Sequence, residues 1–148
     1  VFKWTEDTVT QIRNHTDRKI IIRPHPLYRK SSLHGNLREK VLRVEDVHWQ
    51  EADVRKPEFI PIAEQLKKAW CTVTYSSGTG IDAVINGIPN VACDSGSMVY
   101  EVSSKEISEV EHPFTGDKSK WANKIAHCQW SIEEFESGEC WEHVSKSI

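Results

Sequence analysis

Residues 75–80 read Tyr-Ser-Ser-Gly-Thr-Gly, between a run of β-forming residues and a helix-forming one. Amides at the start of a helix have no intrahelical partner, and the helix dipole places roughly half a positive charge there. Gly78 and Gly80 let a ligand approach the backbone, while Ser76, Ser77 and Thr79 add hydroxyl donors. These are the requirements of a phosphate cradle that works without a metal. The same residues also suit a plain strand-to-helix turn in which Ser and Thr merely cap the helix. Neither the Walker pattern GxxxxGK[ST] nor GxGxxG is present.

A second group, Arg23-Pro24-His25-Pro26, follows a β-branched run. Ligands of open α/β sheets bind outside the carboxyl ends of strands. The prolines restrict the backbone there and would aim His25 at little entropic cost. A histidine in that place can donate to a phosphate oxygen or protonate a leaving phosphate, so His25 is the candidate catalytic residue. A His–Pro turn bonded to a nearby carbonyl is the alternative. Arg23 suits a phosphate or a carboxylate, and equally a solvated strand end. Asp82, one turn into the following helix, suits ribose hydroxyls, or simply complements the helix dipole. Asp94 and Ser95 open the small-residue loop 94–97, placed to touch a sugar or second phosphate, or to form a simple turn. His112-Pro113-Phe114 reads as a loop anchor.

The elements that must position these residues follow from pattern. A helix is expected from Thr5, as its cap, to about His15, with Val9 and Ile12 on one face. Lys19–Arg23 reads as a strand covered on both faces. Residues 27–60 are polar, with Val41–Val44 a possible short strand and Trp49 and Phe59 tethering the loops. Pro61 starts a helix through Trp70, with Ile62, Ala63, Leu66 and Ala69 inward. Residues 71–75 form a strand, 81–86 a helix stopped by Gly87 and Pro89, and 90–93 a strand, together one compact βαβ unit. The tail is helical, capped at Asp117 and Ser131 and broken at Gly138, with Trp121, Trp130 and Trp141 as anchors onto the sheet. The expected fold class is α/β, a Rossmann-like three-layer domain over residues 1–148 with a short, mostly parallel sheet and a C-terminal helical tail.

The bulk numbers are ordinary for a globular chain: 148 residues, 38% hydrophobic, 28% charged, net charge −3. The charge is uneven: residues 1–74 hold 14 Lys/Arg against 10 Asp/Glu, and residues 75–148 hold 5 against 12. A basic first half suits an anionic small ligand as well as it suits a solvated surface. No Lys/Arg stripe interleaves with aromatics, so the sequence gives little support to nucleic acid as a partner, although an enzyme glycosylating DNA bases would still fit the fold. No apolar run reaches the roughly 20 residues of a membrane span, and the opening residues do not read as a leader. Cys71, Cys93, Cys128 and Cys140 lack metal-site spacing and read as buried thiols of a reducing compartment, with no metal expected. The chain starts at Val1, which fits a piece of something longer.

In order, the RPHP group, a helix ending at Ala69-Trp70 and TYSSGTGIDAVINGIP resemble the C-terminal, donor-binding domain of GT-B glycosyltransferases. The likeness covers about residues 18–100 and is nearest to the capsule-polysaccharide and Kdo-transferase type and to HP-motif sialyltransferases. It implies that His25, Ser76, Ser77 and Thr79 hold the phosphate of a nucleotide-sugar, CMP- or UDP-linked, serving as donor substrate with no other cofactor. It further implies a glycan or other acceptor, a cytoplasmic location in bacteria or phage-infected cells, and a second Rossmann-like domain or a homo-oligomer to complete the enzyme. The chain departs from the family in having room for only one of its two domains. UDP-sugar 2-epimerases have a similar turn, and a non-catalytic module binding a nucleotide or a protein is the other alternative.

Overall fold

The computed structural model describes residues 2–25, 32–51 and 53–146; Pro26 lies outside them. The chain is α/β. It divides into two compact units, Val1–Thr115 and Gly116–Ile148.

In the first unit α1 (Phe2–Arg13) leads into β1 (Ile20–Ile22), then α2 (Ser32–Val41) and β2 (Val47–Trp49). β1 and β2 pair in parallel, with Ile20 opposite Val47 and Ile22 opposite Trp49. Val9, Leu37, Val41 and Val47 form the core of this half, flanked by Ile20, Ile22, Val44 and Trp49. Leu37 and Val41 stand one helical turn apart, and that spacing places Val41 at the end of a helix. Residues 41–44 are therefore not a strand: Leu42, Arg43 and Val44 close the helix with bonds to Arg38, Lys40 and Val41. The helix expected from Thr5 begins at Phe2, so Thr5 is inside it. Ile21 is 48% exposed, so β1 is not covered on both faces.

The second half of the unit holds α3 (Ile62–Leu66), β3 (Thr72–Thr74), α4 (Thr79–Ile85) and β4 (Asn90–Ala92). Pro61 precedes α3 as expected, but the helix ends at Leu66, short of Trp70, and Ala63 faces solvent. β3 and β4 are parallel, with Thr72 opposite Asn90 and Thr74 opposite Ala92. On its other edge β4 exchanges backbone bonds with Ser104, so the pair is three segments wide there. The strands among the described residues thus form two parallel pairs rather than one continuous sheet.

α4 packs on β3 and β4. Gly87, at φ 78°, ends it: Gly87 N–H donates to Val84 O and Ile88 N–H to Ala83 O, the paired bonds of a Schellman stop.

The second unit is helical: α5 (Ser119–His127), α6 (Ile132–Ser137) and α7 (Glu139–Ser145). Ser131 caps α6 in a reciprocal box with Glu134. Gly138, at φ 85°, turns the chain into α7. Asp117 is one residue short of a cap; its carboxylate accepts from Ser119 N–H and Oγ. Trp121 is buried, whereas Trp141, expected as an anchor, is 71% exposed. Cys128 is exposed, unlike the buried Cys140. No helix among the described residues is long and apolar enough to cross a membrane.

Candidate functional site

β3 and β4 are parallel and in register, so the segments that follow them, 75–80 and 93–97, leave the same edge of the pair. Cys93 N–H donates to Thr74 O at 2.9 Å and holds the two exits together. Tyr75 bends out of β3 with its ring edge-on to Trp4, centroids 5.5 Å apart.

The turn then splits into a half used by the fold and a half left open. Thr79 N–H donates to Ser77 Oγ at 3.3 Å, Gly80 N–H to Ser77 O, and Ile81 and Asp82 N–H to Gly78 O. The helix therefore starts at Thr79, two residues earlier than expected. The amides of Ser76, Ser77 and Gly78 donate to nothing among the described residues, and all three residues are exposed. The Ser76 hydroxyl likewise has no partner there. Three consecutive open amides and this hydroxyl form the acceptor-seeking surface. Ser77 doubles as a local cap, the structural role open to it from sequence.

The two glycines have different tasks. A Cβ on Gly78 would meet nothing within 4 Å. One on Gly80 would lie 2.9 Å from Val99 Cγ2 and 3.2 Å from Thr74 Oγ1. Gly80 is buried and lets α4 sit down on the strands, so helix packing, not ligand approach, requires it.

Under Gly80 lies a buried polar cluster. Asn90, fully buried, accepts at Oδ1 from Thr72 Oγ1 (2.8 Å) and Thr74 Oγ1 (3.1 Å) and donates from Nδ2 to Ser103 Oγ (3.0 Å). The Ser103 hydroxyl donates in turn to Val99 O at 2.7 Å. The cluster pins β3, β4 and the 99–103 segment together, and so the turn above them.

Arg23 follows β1, but its guanidinium is engaged. It donates to Ile60 O at 2.6 Å and Gln65 Oε1 at 3.0 Å and lies over the Phe59 ring. Partial burial lowers its pKa from the ordinary arginine value. Arg23 thus ties the end of β1 to α3 and to the segment that leads into it. His25 is exposed, two residues further on. β1 is not hydrogen-bonded to β3, but their starts meet: the Arg18 guanidinium, just before β1, lies 4.1 Å over the Trp70 ring, just before β3. α1 runs back from that end, since Arg13 bonds Thr16 O and Arg18 O while Trp4 reaches Tyr75. β3 thus runs from its start beside Arg18 to an end beside the first turn of α1.

Asp82 is exposed in the first turn of α4. Asp94 is committed to its own loop: Oδ1 accepts from Gly96 N–H, and the main chain closes from Ser97 N–H to Asp94 O. That is the simple turn open to it from sequence. Ser95 is exposed at its tip. Phe114 N–H donates to Ser104 Oγ, so the His112–Phe114 segment is anchored as expected.

Beside the turn, Trp4, Asp7, Thr8, Gln11, Cys93 and Lys105 line an open depression of about 310 Å³. Lys105 Nζ there bonds Ser103 O and Tyr100 O and lies over the Tyr100 ring; burial lowers its pKa. Burial, and next the charge of Glu106, raise that of Cys93. None of these was legible as site-forming, because α1 and the 93–105 loops meet only in the folded chain. A larger depression of about 790 Å³ lies at the opposite end of the strands, around residues 13–18 and Glu111. Its cations are largely engaged: Arg18 pairs with Glu111 at 3.1 Å, and Arg13 holds two carbonyls through its terminal nitrogens, leaving its buried Nε without a partner among the described residues. The carboxyl edge of β3 and β4, with its open amides, is the better candidate, although the residues of the turn do not themselves line the smaller depression. Among the described residues no group of three or more His, Cys, Asp or Glu is placed to hold a metal.

No family model matches the chain, nor does any curated protein or solved structure match it.

Proposed function

We propose that the chain is the nucleotide-sugar-binding domain of a glycosyltransferase, taking up the donor through its phosphates without requiring a metal. The observation that carries this is the row of open amides at Ser76, Ser77 and Gly78, on the carboxyl edge of a parallel strand pair and ahead of a helix. Unpaired amides ahead of a helix on the carboxyl edge of a strand pair favour an anion. A phosphate seated there accepts from these amides and from the Ser76 and Thr79 hydroxyls. His25, exposed beyond β1, is the group proposed to neutralise charge as the sugar–phosphate bond breaks. In this proposal the two parallel pairs are parts of one Rossmann-like sheet, with β1 beside β3. The acceptor site belongs to a second domain or a partner subunit.

Arg23 and Asp94 favour a second reading, a module that binds the nucleotide without transferring its sugar. Both groups are spent on the fold, which leaves few side chains for chemistry.

Isothermal titration with CMP-, UDP- and GDP-sugars tests the proposal. One of them is expected to bind, and Ser76→Ala combined with His25→Ala is expected to weaken it about tenfold or more, as for hydrogen bonds to a charged group. Ser76 is preferred over Ser77 because its hydroxyl caps nothing. Failure of every donor to bind overturns the proposal; binding without turnover, with a supplied acceptor domain, favours the module.

A further inference from the structure

We propose that the α6–α7 hairpin is a docking surface for a basic amphipathic helix of a partner protein. Ile132, Phe135 and Trp141 are 73%, 64% and 71% exposed, and Val144 is exposed as well. The four side chains sit on two short helices, of six and seven residues and only about 9 and 10 Å long. The two helices pack on each other, and Trp130 meets His143 with ring centroids 5.2 Å apart, which sets the last turn of α7 beside the approach to α6. Four large apolar side chains left in water on one short hairpin mark an interaction site rather than ordinary surface scatter.

Charge names the occupant. Residues 132–145 carry five glutamates and no Lys or Arg. Glu134 serves the cap of α6, and Glu142 meets Lys146 loosely at 3.9 Å. Glu133, Glu136 and Glu139 enter no ion pair among the described residues. Exposed apolar side chains that alternate with carboxylates along the same two helices fit a helix with apolar residues on one face and Lys/Arg beside them. The same carboxylates repel an anionic lipid surface. They also oppose a two-fold dimer through this hairpin, which would set five glutamates against five.

Fluorescence anisotropy of a labelled Leu/Lys amphipathic helical peptide, titrated with the full chain, tests the proposal. A Leu/Glu peptide of the same pattern is the control. The basic peptide is expected to bind and the acidic one not, with affinity falling about tenfold or more on going from low to roughly 0.3 M salt. Phe135→Ser with Trp141→Ser is expected to abolish binding, and Glu133→Lys with Glu136→Lys and Glu139→Lys to weaken it at least tenfold. Circular dichroism melts should leave all these exposed-site variants folded. Equal binding of both peptides, no binding of either, or binding that survives Phe135→Ser with Trp141→Ser overturns the proposal. So does uptake onto phosphatidylserine vesicles in place of peptide, or self-association in sedimentation that the same double variant abolishes.

Discussion

Gly78 and Gly80 sit two residues apart in one turn, yet a methyl group separates them completely. Gly80→Ala forces a Cβ against Val99 Cγ2 in a filled core. It is expected to cost about 1–3 kcal/mol in urea unfolding, as overpacking does. Gly78→Ala, with open space and a helical φ of −56°, is expected to be neutral or stabilising by up to about 1 kcal/mol. Asn90→Ala leaves the hydroxyls of Thr72, Thr74 and Ser103 short of a partner and is expected to cost about 1–3 kcal/mol, read the same way. Cys71 shows what burial does to a thiol. Desolvation and then Glu111 push its pKa from 9.0 up to about 11. The folded state therefore keeps a proton that the unfolded chain loses, so this contribution to stability is intact below about pH 9 and lost as pH rises toward 11. Iodoacetamide labelling followed by peptide mass mapping should mark exposed Cys128 at pH 8 well before Cys71.

At the scale of elements, stop and start signals were more readable than extents. Gly87 and Gly138 end helices in the left-handed conformation, and Ser131 starts one, all as sequence chemistry demands. Gly87→Ala should lower stability by about 1 kcal/mol, measured by thermal melting, because a Cβ is strained at φ 78°. Extents failed where two periods fit a short window. Val41-Leu42-Arg43-Val44 suits a strand by composition, but Leu37 and Val41 bury as one helical face against Val9. The helix after Pro61 could have continued to Trp70 on propensity. It stops at Leu66, and Trp70 instead donates from Nε1 to Val110 O, forty residues away.

Over the whole molecule, the candidate phosphate site lies within residues 1–115, the first compact unit. A chain ending at Thr115 is therefore expected to retain whatever nucleotide-sugar affinity the full chain shows in titration. Loss of that affinity in a truncated chain that still melts cooperatively would place part of the site in the tail. The uneven charge also acquires a location: five of the twelve acids in residues 75–148 lie in 132–145, on the two helices with the exposed apolar residues.

What the sequence determined by itself is local: the α/β class, the strand–turn–helix at residues 72–85, and the stops at Gly87 and Gly138. These depend on neighbours within a turn or two, where backbone sterics and capping chemistry decide. Tertiary structure alone decided which side chains the turn can spare. Arg23 went to Ile60 and Gln65, Gly80 to Val99, and the Thr72 and Thr74 hydroxyls to Asn90. Partners 16 to 42 residues apart meet only when the chain is folded, and no local pattern records them. The open amides at Ser76–Gly78 are what remains once those contacts are made.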